Sequence, residues 1–212
     1  MTIPPVPQDG KPPSDPKRND EYFKQLGIFV SVFAQMESYL FVNLILMAGV
    51  SLEVGRATFS GTRAKEAISY IRRIYAVKQF SIEIRNIMEP CFEQITSINE
   101  IRNYLMHYGT NFTQSQLRTT NAVRAYLPDK EIAYEISPGL LHDMSSDIMQ
   151  VLAAIGYCND VLLQKTPDVV PVEAMKAQQR SWLYRLPAQA SKGRKPHENG
   201  RRPKRQPQSS PE

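Results

Sequence analysis

Ile98-Asn99-Glu100-Ile101-Arg102-Asn103-Tyr104-Leu105-Met106-His107-Tyr108-Gly109 is the stretch that decides the fold class. Apolar residues at Ile95, Ile98, Ile101, Leu105 and Met106 recur at helical spacing, so the segment reads as the last three turns of a helix. Gly109 sits where a glycine ends such a helix, and Asn111 discourages its resumption. Asn103 and His107 are i and i+4 and share a face, whereas Arg102 lies about 140° around the axis from His107. An imidazole, a carboxamide and a guanidinium at one helix end can bind a phosphate and move a proton. One helix does not aim Arg102 and His107 at a single point, so a second copy or another helix has to complete such a site. A plainer role fits the same residues. A histidine in a last turn complements the helix dipole, and Arg and Asn ahead of a C-cap also serve as solvent-facing residues.

Toward the N-terminus the same helix carries Ile84, Met88, Cys91, Ile95, Ile98, Arg102 and Leu105 at alternating steps of four and three. Arg102 therefore lies on an apolar seam, where a charge needs a partner or a task. The strength of the seam suggests packing against a copy of itself, which would bring two Arg102/His107 sets together. Pro90 either opens the main helix or sits inside a longer one.

Other helices flank it. Asn19 or Asp20 can cap a first helix running to about Met47. Residues 28–50 are apolar enough to raise a membrane span, but Gln35, Glu37, Ser38 and Asn43 argue for a buried core helix instead. A buried Glu37 needs a partner, and Arg102 is the candidate. Thr62 can cap a second helix through about Gln79, with Arg63, Lys65, Arg72, Arg73 and Lys78 along it. That run reads as a solvated face, or as a guide for a polyanion if it flanks Arg102.

Beyond Gly109 the period changes to two. Val123, Ala125 and Leu127, then Ile132, Tyr134 and Ile136, alternate around Pro128-Asp129-Lys130 and predict a small hairpin. Ser137-Pro138 is a strong helix start. Leu141, Met144, Ile148, Val151, Ile155, Cys158 and Leu162 come next at 3-4 spacing, predicting a last core helix to about Lys165, with His142 on its surface. Pro171 can open a short helix to about Arg185, with Trp182 as its apolar anchor.

The 212 residues suit one domain with tails: an arm over 1–18, a helical domain over 19–166, a linker and short helix over 167–186, and a tail over 187–212. The arm is Pro-rich, with no apolar stretch of the secretory kind. Net charge is +5, and the tail accounts for all of it. Lys192, Arg194, Lys195, Arg201, Arg202, Lys204 and Arg205 face only Glu198 and Glu212, so 7 − 2 = +5 and the rest sums to zero. Such a tail is expected to be disordered and to tether nucleic acid electrostatically, or simply to aid solubility. Cys91 and Cys158 fall on apolar helical faces and read as buried free thiols of a cytoplasmic protein. The three histidines are far apart in sequence, so no metal site or other cofactor is expected.

Arg102-Asn103-x-x-x-His107, on a helix ending in an aromatic and Gly109, resembles the Arg-x-x-x-x-His signature of the HEPN superfamily. A long apolar helix with Glu37 precedes it and another helix comes after it, an order similar to a HEPN domain over about Asp20 to Lys165. Met106 and Tyr108 depart from the usual pattern around the histidine. The resemblance implies an all-α fold, an antiparallel four-helix bundle, here with a small β-hairpin inserted before the last core helix. It also implies a homodimer acting as a metal-independent endoribonuclease of the toxin or defence type. His107 would then be the acid/base, Arg102 would bind the scissile phosphate, Asn103 would orient the site, and Glu37 would hold Arg102. An antitoxin or nucleotidyltransferase partner belongs to the same expectation, and a membrane does not. The alternative within the superfamily is a non-catalytic dimeric module that binds RNA or nucleotides.

Overall fold

A computed structural model of the chain describes residues 16–112, 117–121, 124–125, 131–162 and 182–185. These residues are mostly helical, with five helices and a small three-stranded antiparallel sheet. The helices are α1 (Pro16–Ala48), α2 (Leu52–Phe59), α3 (Ala64–Lys78), α4 (Ile82–Tyr108) and α5 (Pro138–Leu162). The strands are β1 (Asn111–Phe112), β2 (Leu117–Thr120) and β3 (Ala133–Glu135).

The ends of the helices reflect local chemistry. α1 is already helical at Pro16, the first described residue, so neither Asn19 nor Asp20 caps it. The Ser81 hydroxyl accepts from Ile84 N–H at the start of α4, and the Ser137 hydroxyl accepts from Leu140 N–H at the start of α5. Pro90 lies inside α4, which is the longer of its two expected forms. Gly109 ends α4 at φ +66°, a conformation that favours glycine, and its N–H donates to the Leu105 carbonyl. Thr62 does not cap α3. The cap residue is Arg63, whose side chain makes no capping bond, and the Glu37 carboxylate of α1 accepts from Ala64 N–H instead, at 3.4 Å.

α1 packs on α3 and α5, and α4 packs on the same two helices. Glu37 meets Ala64 and the Ala48 carbonyl meets Lys78, so α3 runs in the direction of α1. Asn43 donates to Asn159 while Gly156 approaches Tyr39, so α5 does too. α4 alone runs the other way, with Arg85 against Tyr75 and Glu89 against Arg72. The expected antiparallel order is thus corrected: α2, which the sequence pattern did not announce, carries the chain back between α1 and α3. The core draws on all four long helices, including Phe29, Met36, Ile71, Phe92, Ile98, Met144 and Ile155. Each such side chain contributes about 1.5–3 kcal/mol on burial.

The α4 seam is real, since Ile84, Met88, Cys91, Ile95, Ile98 and Leu105 are all buried. It is consumed within the one chain, so it is not free to pack against a copy of itself. α1 is long and apolar enough to cross a membrane by length and composition, yet nine of its residues pack into the interior. Its outward face shows Val30, Ala34, Ser38 and Val42.

The sheet corrects the expected hairpin. β2 is central, pairing Asn111 with Arg118 on one side and Thr119 with Tyr134 on the other. Tyr134 falls in a strand as predicted. Its partner strand lies at 117–120 instead of 123–127, because the buried Leu117 and Thr119 alternate there. Val123, Leu127 and the 128–130 turn lie outside the described residues, as do the arm over 1–15 and residues 163–181. Residues 182–185 are not helical, so the C-terminal helix does not extend to Arg185.

Candidate functional site

The last two turns of α4 emerge beyond the cover of α3. The first turns of α3 border Thr96, where Lys65 and Ser69 line a common groove. Arg102 lies six residues further along α4, about 9 Å. There Arg102 reaches the Phe33 ring of α1. Arg102 is half-buried, with its guanidinium 5.4 Å from the centre of the Phe33 ring. Its Nη1 donates to Asn103 Oδ1 at 3.1 Å. No carboxylate among the described residues pairs with it.

His107 is exposed one turn beyond Asn103. It touches Tyr108 at 6.4 Å between ring centres. Tyr108 packs 5.2 Å from Tyr104, which meets Tyr134 edge-on at 4.9 Å. Arg124 lies over the Tyr108 ring at 5.6 Å. Partial burial, then the nearby Tyr108 and Glu100, push the Tyr104 phenol above its usual range. The Tyr134 hydroxyl donates to Glu100 at 2.6 Å. Exposed Met106 completes the surface. Arg102, Asn103 and His107 thus border one helix end, and Arg102 and His107 do not converge within one chain.

Glu37 does not hold Arg102. Its carboxylate caps α3 and lines an open groove of about 500 Å3 with Ser38, Arg56, Thr62 and Arg63. The cause is the parallel course of α3, which places an unsatisfied helix N-terminus beside Glu37. The basic run on α3 is partly engaged. Arg72 forks onto Glu89 at 2.6 and 3.0 Å, which raises its pKa, and Lys78 donates to the Ala48 carbonyl. His142 is exposed. The basic residues Lys192, Arg194, Lys195, Arg201, Arg202, Lys204 and Arg205 lie outside the described residues.

Sequence reasoning missed a second polar cluster. Asp147 is fully buried in α5 and accepts from Gln94, Leu183 N–H and Tyr184 N–H. Tyr184, not the half-buried Trp182, is the anchor of this segment, at 1% exposure. A signal was available, because Asp147 adjoins the repeat position Ile148 and so lies beside the apolar face of the helix. No family model matches the chain, and no curated protein or solved structure is detectably similar to it.

Proposed function

We propose that the chain is a metal-independent endoribonuclease of the toxin or defence type, built on a four-helix bundle of the HEPN kind. The observation that carries this is Arg102, a half-buried guanidinium with a neutral amide as its hydrogen-bond partner. A cation left so is suited to an anionic ligand, and a phosphodiester offers the bidentate geometry a guanidinium prefers. His107 serves as acid and base, Arg102 binds the scissile phosphate and its developing charge, and Asn103 orients the guanidinium. RNA supplies its own nucleophile, the 2′-hydroxyl, so the product carries a 2′,3′-cyclic phosphate. The cleft is completed by a second copy, docked through a surface other than the α4 seam, and the protein works in the cytoplasm. An antitoxin or nucleotidyltransferase is the partner class of this reading.

The test is cleavage of RNA in EDTA by the purified protein and by His107→Ala. Loss of cleavage in the variant, with helix content intact, supports the enzyme. Equal activity, or none from either protein, removes it. One observation favours a second reading: among the described residues no hydrogen bond orients His107. In a non-catalytic RNA- or nucleotide-binding module, Arg102 would supply affinity and His107 would be dispensable for it.

A further inference from the structure

From Gly27 to Ala48, α1 holds a single charged residue, the half-buried Glu37. No exposed residue of that span carries a charge. The neighbouring α5 continues the same face. It has no charge from Ile148 to Asn159, its Met149 and Ala153 are exposed, and its Gly156 lies against the Tyr39 hydroxyl of α1. A helix on the outside of a domain ordinarily carries charges on its open face, and an apolar surface of this extent marks an interaction site.

The outermost row of α1 has a definite shape. Val30, Ala34, Ser38, Val42 and Leu46 succeed one another at steps of four, and all five are exposed. They form one ridge, small in its middle and larger at its ends. Ridges of this kind interdigitate when two helices cross at about −50°. The Ser38 hydroxyl donates to the Ala34 carbonyl at 3.0 Å, so it brings its own partner into a dry contact. Beside the ridge, Glu37, Arg56 and Arg63 line the groove between α1 and α2. Among the described residues none of the three is in an ion pair. A patch that carries both signs is complementary to itself under a twofold axis.

The strip over α1 and the adjoining edge of α5 measures about 33 Å by about 20 Å, or about 650 Å2. Two such faces bury about 1,300 Å2, above the roughly 1,000 Å2 that a specific interface needs. Ser31, Gln35 and Ser38 stand on this face, and their polar atoms favour a protein surface over hydrocarbon, which offers them no partner.

We propose that this face is a homodimer interface, in which two copies cross on the Val30–Leu46 ridge with Arg56 and Arg63 of each turned toward Glu37 of the other. It borders the candidate site, because Phe33, which carries the Arg102 guanidinium, precedes Ala34 in α1. The face thus supplies the surface that a cleft between two copies requires, and only this link rests on the nuclease reading.

The experiment is sedimentation velocity of the full chain, comparing wild type with Val42→Lys, Leu46→Lys, Ser38→Ala and Val77→Lys. The wild type should be a dimer at micromolar concentration. Val42→Lys and Leu46→Lys each put a charge into the contact on both copies, and each should raise the dimer dissociation constant about 100-fold. Both positions are exposed in the single chain, so helix content should hold, and if one variant loses it the other decides. Ser38→Ala keeps the ridge small, and Val77→Lys alters an exposed position of α3 outside it, so both should stay within about twofold of wild type. A wild type that is monomeric at about 100 μM would overturn the interface, as would a dimer that the ridge lysines leave intact. If that monomer floats with vesicles of phosphatidylglycerol and phosphatidylethanolamine, the face belongs to a lipid surface instead. RNA cleavage by the same proteins is judged separately. A wild-type dimer without cleavage removes the nuclease and leaves the interface standing, and a monomeric Val42→Lys that cleaves at the wild-type rate removes only the shared cleft.

Discussion

Arg102 lays its guanidinium over the ring of Phe33, 5.4 Å from its centre, and so joins the candidate site on α4 to the buried stripe of α1. The contact does two things at once. It sets the guanidinium over an aromatic ring, and among the described residues its one hydrogen bond is that to Asn103. Glu37, four residues after Phe33, would have neutralised this charge had it turned toward it. It caps α3 instead, and among the described residues no carboxylate pairs with Arg102.

Arg102→Ala should therefore separate activity from stability. The stacking contact is worth about 0.5–1 kcal/mol, so the urea midpoint should barely move. Loss of the phosphate contact should lower cleavage about 100-fold or more. Arg102→Lys keeps the charge but loses the planar fork, and should recover only a small part of the rate. Single-turnover cleavage alongside urea titration checks both, and full activity in Arg102→Ala would sink the assignment.

Asn43 and Asn159 form a buried amide pair between α1 and α5. Truncating one partner leaves the other polar and dry, so Asn43→Ala and Asn159→Ala should each destabilise by about 1–3 kcal/mol. Replacing both with Leu should cost less than the sum of the two single changes, because no orphaned amide remains. A urea double-mutant cycle reads the coupling, and strict additivity would mean that the pair does not interact in solution.

The last core helix, the end of α4 at Gly109 and the buried seam were legible because period, cap and breaker agreed over long segments. The direction of the helices was not legible. It is set by α2, a helix of only eight residues, and nothing local to α1 or α3 encodes their parallel course. The same gap explains Glu37. Its carboxylate was recognised as needing a partner, but the partner is a backbone N–H whose position depends on that course. Arg102 was legible as a charge on a seam, and its support on Phe33 was not, since this contact joins residues 69 positions apart (102 − 33).

Burial pushes the Cys158 thiol up to about 12, from an ordinary value near 9. In the unfolded chain the thiol ionises at the ordinary value, while the folded state keeps its proton. Stability from this group is therefore complete below about pH 9 and is lost as pH rises toward 12, by about 1.4 kcal/mol per unit. Buried Tyr75 is raised in the same direction. Urea titrations at pH 7.5, 9 and 10 should show the decline, and Cys158→Ala should flatten part of it. An unchanged slope in that variant would mean the thiol is not buried in solution.

The grip of Asp147 on Leu183 and Tyr184 makes the folded body depend on a segment far along the chain. Ending the chain at Lys165 removes the Tyr184 side chain from the interior and strips two of the three donors from a buried carboxylate. The combined loss should be about 3–5 kcal/mol, from the aromatic burial and the unsatisfied acceptor together. Ending it at Arg185 removes only the basic tail and should leave the urea midpoint unchanged. Asp147→Asn should fall between them, because its amide turns an N–H toward one of the two gripped N–H groups while its oxygen still serves the other. Equal midpoints for the Lys165 and Arg185 chains would show that the segment is not docked in solution, and the clamp would lose its structural role.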